Sequence, residues 1–243
     1  MTTPAVLEKQ SFLVREIKWE TPSTFTLVLA PESGAMFSFA AGQWVYLYLL
    51  NEDGSSWARA AFSIASAPEE AQKQFELGIK IYGDFTKRAS KLMPDDHVQI
   101  QGPFGVFTLH ENISPLVMFA GGIGVTPFRS QIRSLWKRRS ATQVYLFYSN
   151  KIVEETAYFE ELQAMAKEWP ALHVIFLLTS EAPAKWPGET GRLNLEIIKR
   201  HVPSLDQGEF LMCGPPGFMD SIKAILDTQG VDTKKRLRKE LFG

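Results

Sequence analysis

The chain has 243 residues, 45% of them hydrophobic, with 26 lysines and arginines against 27 aspartates and glutamates and a formal net charge of -1. That composition buries a core in one large domain or two small ones, and the balanced charge excludes a dedicated nucleic-acid binder and an acidic disordered chain. The single cysteine, Cys213, excludes an intrachain disulfide and a plant-type iron–sulfur cluster, which takes about four thiolates.

The N-terminal stretch carries no basic region followed by an apolar run, so no signal peptide is read there. Residues 1–10 read as a polar tail. The longest apolar runs, 44–50 and 116–120, fall far short of the ~20 residues of a membrane span. A soluble, cytoplasmic protein is expected.

From residue 25 onward the first half reads as short strands. Phe25, Leu27 and Leu29 alternate with Thr26 and Val28, and Phe75, Leu77, Ile79 and Ile81 alternate with Glu76, Gly78 and Lys80. Residues 44–50 and 97–100 are further strands. Turn clusters separate them at 31–34, 51–54, 94–96 and 102–103. Many short strands with regular turns predict an antiparallel barrel or sandwich.

Near residue 114 the period changes. LVMFA at 116–120 is a continuous apolar run, as a strand buried on both faces requires. Behind it Phe128, Ile132, Leu135 and Trp136 form a helical stripe. Strands at 144–148, 173–178 and 210–213 follow. Helical stripes at Tyr158–Ala166 and Phe218–Leu226 alternate with them. That alternation predicts a parallel sheet with crossover helices. A β domain over 1–112 and an α/β domain over 113–243 are expected.

Several motifs could carry chemistry. AGGIGVTPF at 120–128 joins the first parallel strand to a helix, where glycines let backbone N–H groups approach a phosphate. Taken alone, a tight structural turn explains these glycines equally well. Cys213-Gly-Pro-Pro216 ends the last apolar strand at the same sheet edge, and alone it reads as a buried free cysteine. In the β domain, Arg59 and FSIAS at 62–66, with Lys80 and Gly83-Asp-Phe-Thr86, offer charge, ring and hydroxyl for a flavin. A Phe62 packed into the barrel is the plainer alternative. The four histidines show no metal-ligand spacing, and no nucleophile elbow or GxxxxGK[ST] phosphate loop is present, so no metal site is expected.

Read together and in order, ARAAFSIASAP, IKIYGDFTKRASKLMPDDHVQIQGPFGVF, AGGIGVTPF, FLMCGPPGFM and KELFG resemble the ferredoxin–NADP reductase superfamily over roughly residues 10–243. The resemblance implies an antiparallel Greek-key β-barrel that binds FAD, followed by a doubly wound parallel-sheet α/β domain that binds NAD(P). It puts Phe62 against the isoalloxazine ring and the Ser63 hydroxyl near flavin N5. It puts Gly83, Asp84, Phe85 and Thr86 on the FAD pyrophosphate, with Lys80 beside them. Gly121, Gly122, Gly124, Thr126 and Pro127 match the nicotinamide-dinucleotide pyrophosphate loop. Cys213, Gly214 and Pro215 lie beside the nicotinamide, and Glu240 and Phe242 near the flavin. Ser63, Cys213 and Glu240 are the expected catalytic set. The family places an arginine three residues before the serine. Here that position is Ala60, and Arg59 precedes it, so either a bulge delivers Arg59 to the phosphate or Lys87 or Arg88 supplies the charge.

The implied reaction passes hydride from NAD(P)H to FAD and electrons onward to a separate acceptor protein such as ferredoxin or flavodoxin. A reductase of free flavin and a flavoprotein subunit of a larger complex are the rivals. The strand at 144–148 ends in Ser149-Asn150-Lys151 without a carboxylate. A carboxylate there would select NAD, so Lys151, with Ser149, is expected to favour NADPH.

Overall fold

The computed structural model describes residues 8–110 and 113–241. Its first half is six antiparallel strands: β1 (Gln10–Thr21), β2 (Thr24–Pro31), β3 (Trp44–Leu50), β4 (Ser56–Ser63), β5 (Phe75–Lys80) and β6 (His97–Phe104). They run β4-β3-β6-β1-β2-β5, so β6 inserts between β3 and β1 in a Greek-key crossing. An Ile64–Leu77 bridge joins the two edges and closes the barrel. Its interior holds Phe12, Val14, Phe25, Leu27, Leu47, Phe75 and Ile100. The short helix α1 (Asp84–Ala89) follows β5.

The second half is a parallel sheet wound on both faces. Its strands are β7 (Leu116–Gly121), β8 (Val144–Asn150), β9 (Leu172–Leu178), β10 (Glu189–Thr190), β11 (Glu209–Cys213) and β12 (Leu237–Glu240), in the order β10-β9-β8-β7-β11-β12. Helices α2 (Val125–Lys137) and α3 (Phe159–Glu168) cover one face, where Phe128, Ile132, Leu162 and Met165 meet Met118, Leu146 and Tyr148. Helices α4 (Leu195–His201) and α5 (Pro216–Thr228) cover the other, where Ile198, Met219 and Ile222 meet Phe119 and Phe147. A single turn, α6 (Thr233–Arg236), leads into β12. Every residue of β7 is buried, which is why its sequence runs apolar without alternating. Among the described residues no helix is long and apolar enough to cross a membrane.

Helix α2 fixes the two halves to each other. Arg129, 5% exposed, donates to the Glu76 carboxylate at 2.6 Å, to the Ala65 carbonyl at 3.0 Å and to Glu161 at 2.9 Å. Ser130 donates to the Ser66 carbonyl at 2.7 Å, and Gln131 to the Phe107 carbonyl at 2.6 Å. Arg133 bridges Glu70 and Glu161 at 2.7 and 2.6 Å. Burial opposes charge on Arg129, but Tyr158, Glu161 and Glu76 outweigh it and hold the guanidinium protonated. A buried cation with every neighbour in place is a geometric constraint first, since its desolvation cost consumes much of the attraction.

Candidate active site

The barrel's contribution lies on β4, β5 and α1. Ser63, at the end of β4, is buried. Phe62 is half-buried on the face of β4 that meets the barrel core, and its ring centroid lies 5.9 Å from that of Phe85 on α1. Phe85 stacks in turn on Trp57, at 6.2 Å and 19° between planes. Gly83, at φ +90°, opens α1, and no side chain caps its first turn. A Cβ on Gly83 would meet nothing within 4 Å, so the space beside this turn is open. The Thr86 hydroxyl is committed locally: it accepts from the Tyr82 N–H at 2.6 Å and donates to the Gly83 carbonyl at 3.1 Å. A ring wall beside a buried hydroxyl and an open, uncapped helix start fits a flavin with a diphosphate tail.

Arg59 is not delivered to that wall. The β3–β4 register runs unbroken from Tyr48–Arg59 to Trp44–Ser63, and the one irregularity falls at Leu49/Leu50, around Trp57. Alternation therefore sends Arg59 to the face opposite Phe62. There its guanidinium lies 4.3 Å above the Tyr46 ring and donates to the Tyr48 hydroxyl at 2.8 Å. Of the alternative cations, Arg88 lies 4.5 Å from the Trp57 ring and donates to the Leu50 carbonyl at 2.7 Å, while Lys87 is exposed.

The α/β half supplies a cleft of about 510 Å³ at the carboxyl edge of its sheet. It is lined by Gly121 and Gly122, by Pro215, Gly217 and Phe218, and by Ser149, Asn150, Lys151, Thr179 and Arg192. Gly122, at φ +54°, has nothing within 4 Å of its Cβ position. A Cβ on Gly124 would collide with the Cys213 carbonyl, and one on Gly121 would lie 2.9 Å from Pro215 Cδ. The glycines thus serve two needs: open backbone for an anion at Gly122, and close approach of two turns at Gly121 and Gly124. Gly214 packs against Gly121 from the other turn. Thr126 and Pro127 are buried away from the cleft. The Thr126 hydroxyl donates to the Ile123 carbonyl at 3.0 Å and its methyl faces Gly78 of β5.

Cys213 and Glu240 are partners across β11 and β12. Cys213 is fully buried, and burial, then the Glu240 charge, push its thiol well above the ordinary range. Burial alone raises the Glu240 carboxyl. Neither is poised as a nucleophile. Phe242 lies outside the described residues. The histidines pair with carboxylates or stack: His97 with Glu32, His110 with Glu209, His201 with Glu189, and His173 on Tyr145. No group of three or more potential metal ligands occurs among the described residues.

Lys80 connects the two halves. It leaves the barrel at the end of β5, lines the cleft of the α/β half and pairs with Glu155 at 3.3 Å. Sequence reasoning missed Arg192, which enters the cleft after β10. A further hollow of about 700 Å³ lies under the 34–39 loop and includes none of these groups.

A ring wall on a barrel, joined to a glycine-lined cleft on a doubly wound sheet, fits an oxidoreductase that uses FAD and a nicotinamide dinucleotide. The chain matches the oxidoreductase FAD-binding domain family over residues 13–109 and the oxidoreductase NAD-binding domain family over 118–224. It belongs to the ferredoxin–NADP reductase superfamily. NADH-cytochrome b5 reductase 1 of Kluyveromyces lactis is 29% identical over 214 residues, 86% of this chain and 75% of that protein. The Meyerozyma guilliermondii protein of the same name is 33% identical over 161 residues, 64% of this chain and 57% of its own length. In three dimensions the FAD/NAD-binding domain of nitric oxide dioxygenase from Vibrio cholerae superposes with a TM-score of 0.86 at 23% identity, covering 96% of this chain and 98% of that one.

Proposed function

We propose that the chain is an NAD(P)H reductase that loads its FAD with two electrons from the nucleotide and releases them to a separate one-electron acceptor protein. The observation that carries this is the position of Lys80: a barrel residue two positions from Tyr82 and three from Gly83 lines the nucleotide cleft. Residues 1–112 form the flavin half and 113–243 the nucleotide half. FAD, when bound, supplies the conversion of a hydride into single electrons. The protein's part is placement. Phe62 offers a face for the ring, and Ser63 a hydroxyl beside it. The uncapped turn at Gly83 receives the diphosphate. Gly121 and Gly122 receive the donor's pyrophosphate, while Pro215 and Cys213 shape the pocket for its nicotinamide. Glu240, its carboxyl pKa raised by burial, stands at that edge. The names of the relatives favour a cytochrome b5-type haem protein as acceptor over a ferredoxin or flavodoxin.

Anaerobic mixing of the purified protein with NADH or NADPH tests the reading. Flavin absorbance should bleach in a single turnover and return on adding oxidised cytochrome b5. A colourless protein that turns over added free flavin with saturation would instead establish a flavin reductase.

A further inference from the structure

Tyr158 joins the two halves at a point that no motif marks. It ends the loop after β8, immediately before α3, with its backbone at φ +59° and its side chain 4% exposed. A bulky residue in the left-handed region is uncommon and persists where its surroundings over-determine it. Here those surroundings come from both halves. The Tyr158 hydroxyl lies 2.9 Å from Thr26 Oγ1 on β2. The Arg129 guanidinium of α2 lies 4.4 Å from the centre of its ring. Gly78 of β5 faces Thr26 across the strand pairing, and a Cβ there would collide with the Tyr158 hydroxyl and the Thr126 methyl. Glycine inside a strand weakens it and marks a place where another part of the chain must come close.

Proton count gives the hydrogen bonds a direction. With Glu20 ionised, Thr26 gives its one proton to that carboxylate at 2.7 Å, so it accepts from Tyr158. Burial raises the Tyr158 phenol well above its ordinary range and keeps this donor in place. The bonds therefore run from the α/β half into the barrel. Gly78 stands two residues from Lys80 and five from Gly83. Thr126 stands two residues from Gly124, where the glycine turn closes on Cys213. The loop that ends in Tyr158 also carries Glu155 to Lys80, at 3.3 Å. Tyr158 itself lines no part of the nucleotide cleft, so what it can set is spacing.

We propose that Tyr158 is a positioning residue for hydride transfer: through Thr26, Gly78 and Thr126 it sets the distance between the flavin strand of the barrel and the glycine turn of the α/β half. This rests on reading the chain as an NAD(P)H reductase. A misplacement of ~1 Å between reacting groups can cost about 10²-fold in rate. A contact that fixes the spacing therefore acts on the rate of flavin reduction and leaves the affinity for each cofactor nearly unchanged.

Tyr158→Phe keeps the ring and removes the donor, Thr26→Val removes the acceptor, and Thr26→Ser restores it. FAD-loaded protein is mixed anaerobically with saturating NADH or NADPH, well below each variant's melting temperature. The limiting rate of flavin reduction should fall roughly tenfold in Tyr158→Phe and Thr26→Val, with FAD content and donor Kd within about twofold of wild type. Thr26→Ser should keep the wild-type rate. The double variant should be no slower than either single one, since both remove the same interaction. Gly78→Ala, which pushes the two halves apart, should also be slow. The long-wavelength absorbance of reduced nicotinamide stacked on oxidised flavin should fall in step. In the apoprotein, Tyr158→Phe should speed hydrogen exchange at both 24–27 and 125–128, one segment from each half. Wild-type rates in Tyr158→Phe and Thr26→Val overturn the proposal, whatever their melting temperatures. So does a raised donor Kd with an unchanged limiting rate, or faster exchange confined to the α/β half. A wild type that neither donor bleaches defeats the reductase reading and the proposal with it, whereas a bleached wild type matched by its variants defeats the proposal alone.

Discussion

Cys213 sits at the tip of β11 with its thiol protonated by burial, next to a Glu240 carboxyl whose proton affinity is also raised. A group in that state shapes a pocket and donates weakly; it does not attack. Cys213→Ala and Glu240→Gln should therefore leave FAD bound and slow its reduction. Loss of one transition-state contact of ~2–3 kcal/mol corresponds to roughly 30- to 150-fold. Stopped-flow reduction at wild-type speed in both variants would remove these residues from the site. Iodoacetamide at pH 8 should leave the native thiol unmodified, because the thiolate is scarce and the sulfur is covered. The same scale shows the limit of reading motifs. Arg59 stands one position from the family's arginine, and in a strand one position means the opposite face. The bulge that could have corrected it sits at Leu49/Leu50 and turns Trp57 instead.

Helix α2 does the work at the next scale. One of its edges packs Phe128 and Ile132 into the core, and another presents Arg129, Ser130, Arg133 and Ser134 to the barrel. Removing Arg129 would leave Glu76 and Glu161 without their central cation. Breaking one side of a buried pair typically costs 3–5 kcal/mol, so Arg129→Met should lower stability by about that much, and Arg129→Lys by less. The interface should also weaken in acid. Burial raises the Glu76 pKa, but Arg129 more than offsets it, and the net shift is downward from 4.5. Glu70 is lowered as well, Arg133 and Lys137 outweighing its burial. A carboxylate with a depressed folded pKa contributes stability above its unfolded value, and that contribution is lost as pH falls through the folded value. Melting temperature should hold from pH 7 to about 5 and drop below 4.5, with a shallower drop in Arg129→Met. An equally steep drop in that variant would place the acid sensitivity elsewhere. Elements with a clean period were legible in the sequence: β2, β3, β5, β7, β8, α2 and α5 fall where alternation or stripe puts them. Strand β1 was not, because register shifts at Val14/Glu16 and Trp19/Thr21 break its alternation. Helix α1 has six residues and no stripe, and the LRKE sequence of β12 has little apolar signal at a sheet edge. The glycine turn was visible for the same local reason, whereas Arg192 reaches the cleft only through strand order.

At the scale of the whole molecule, the barrel core and the two α/β cores are separate clusters, joined by polar contacts of α2 and by the Lys80–Glu155 pair. Such a chain gains stability from any ligand that binds only the folded state, by RT ln(1 + [L]/Kd). FAD at one hundred times its Kd should add about 2.7 kcal/mol. For a chain of this length each kcal/mol moves the melting temperature by ~2–4 °C, so the expected rise in apoprotein is roughly 5–10 °C. FMN should raise it less. At the proposed site it could cover Phe62 and Ser63, but it lacks the second phosphate proposed to sit at the Gly83 turn. The rise should track the logarithm of FAD concentration once the site is saturated, and chromatography of flavin released from the purified holoprotein should give FAD. An equal shift with FMN at matched concentration, or released FMN, would show that the α1 turn holds no diphosphate and that Phe62 and Ser63 alone define the flavin site.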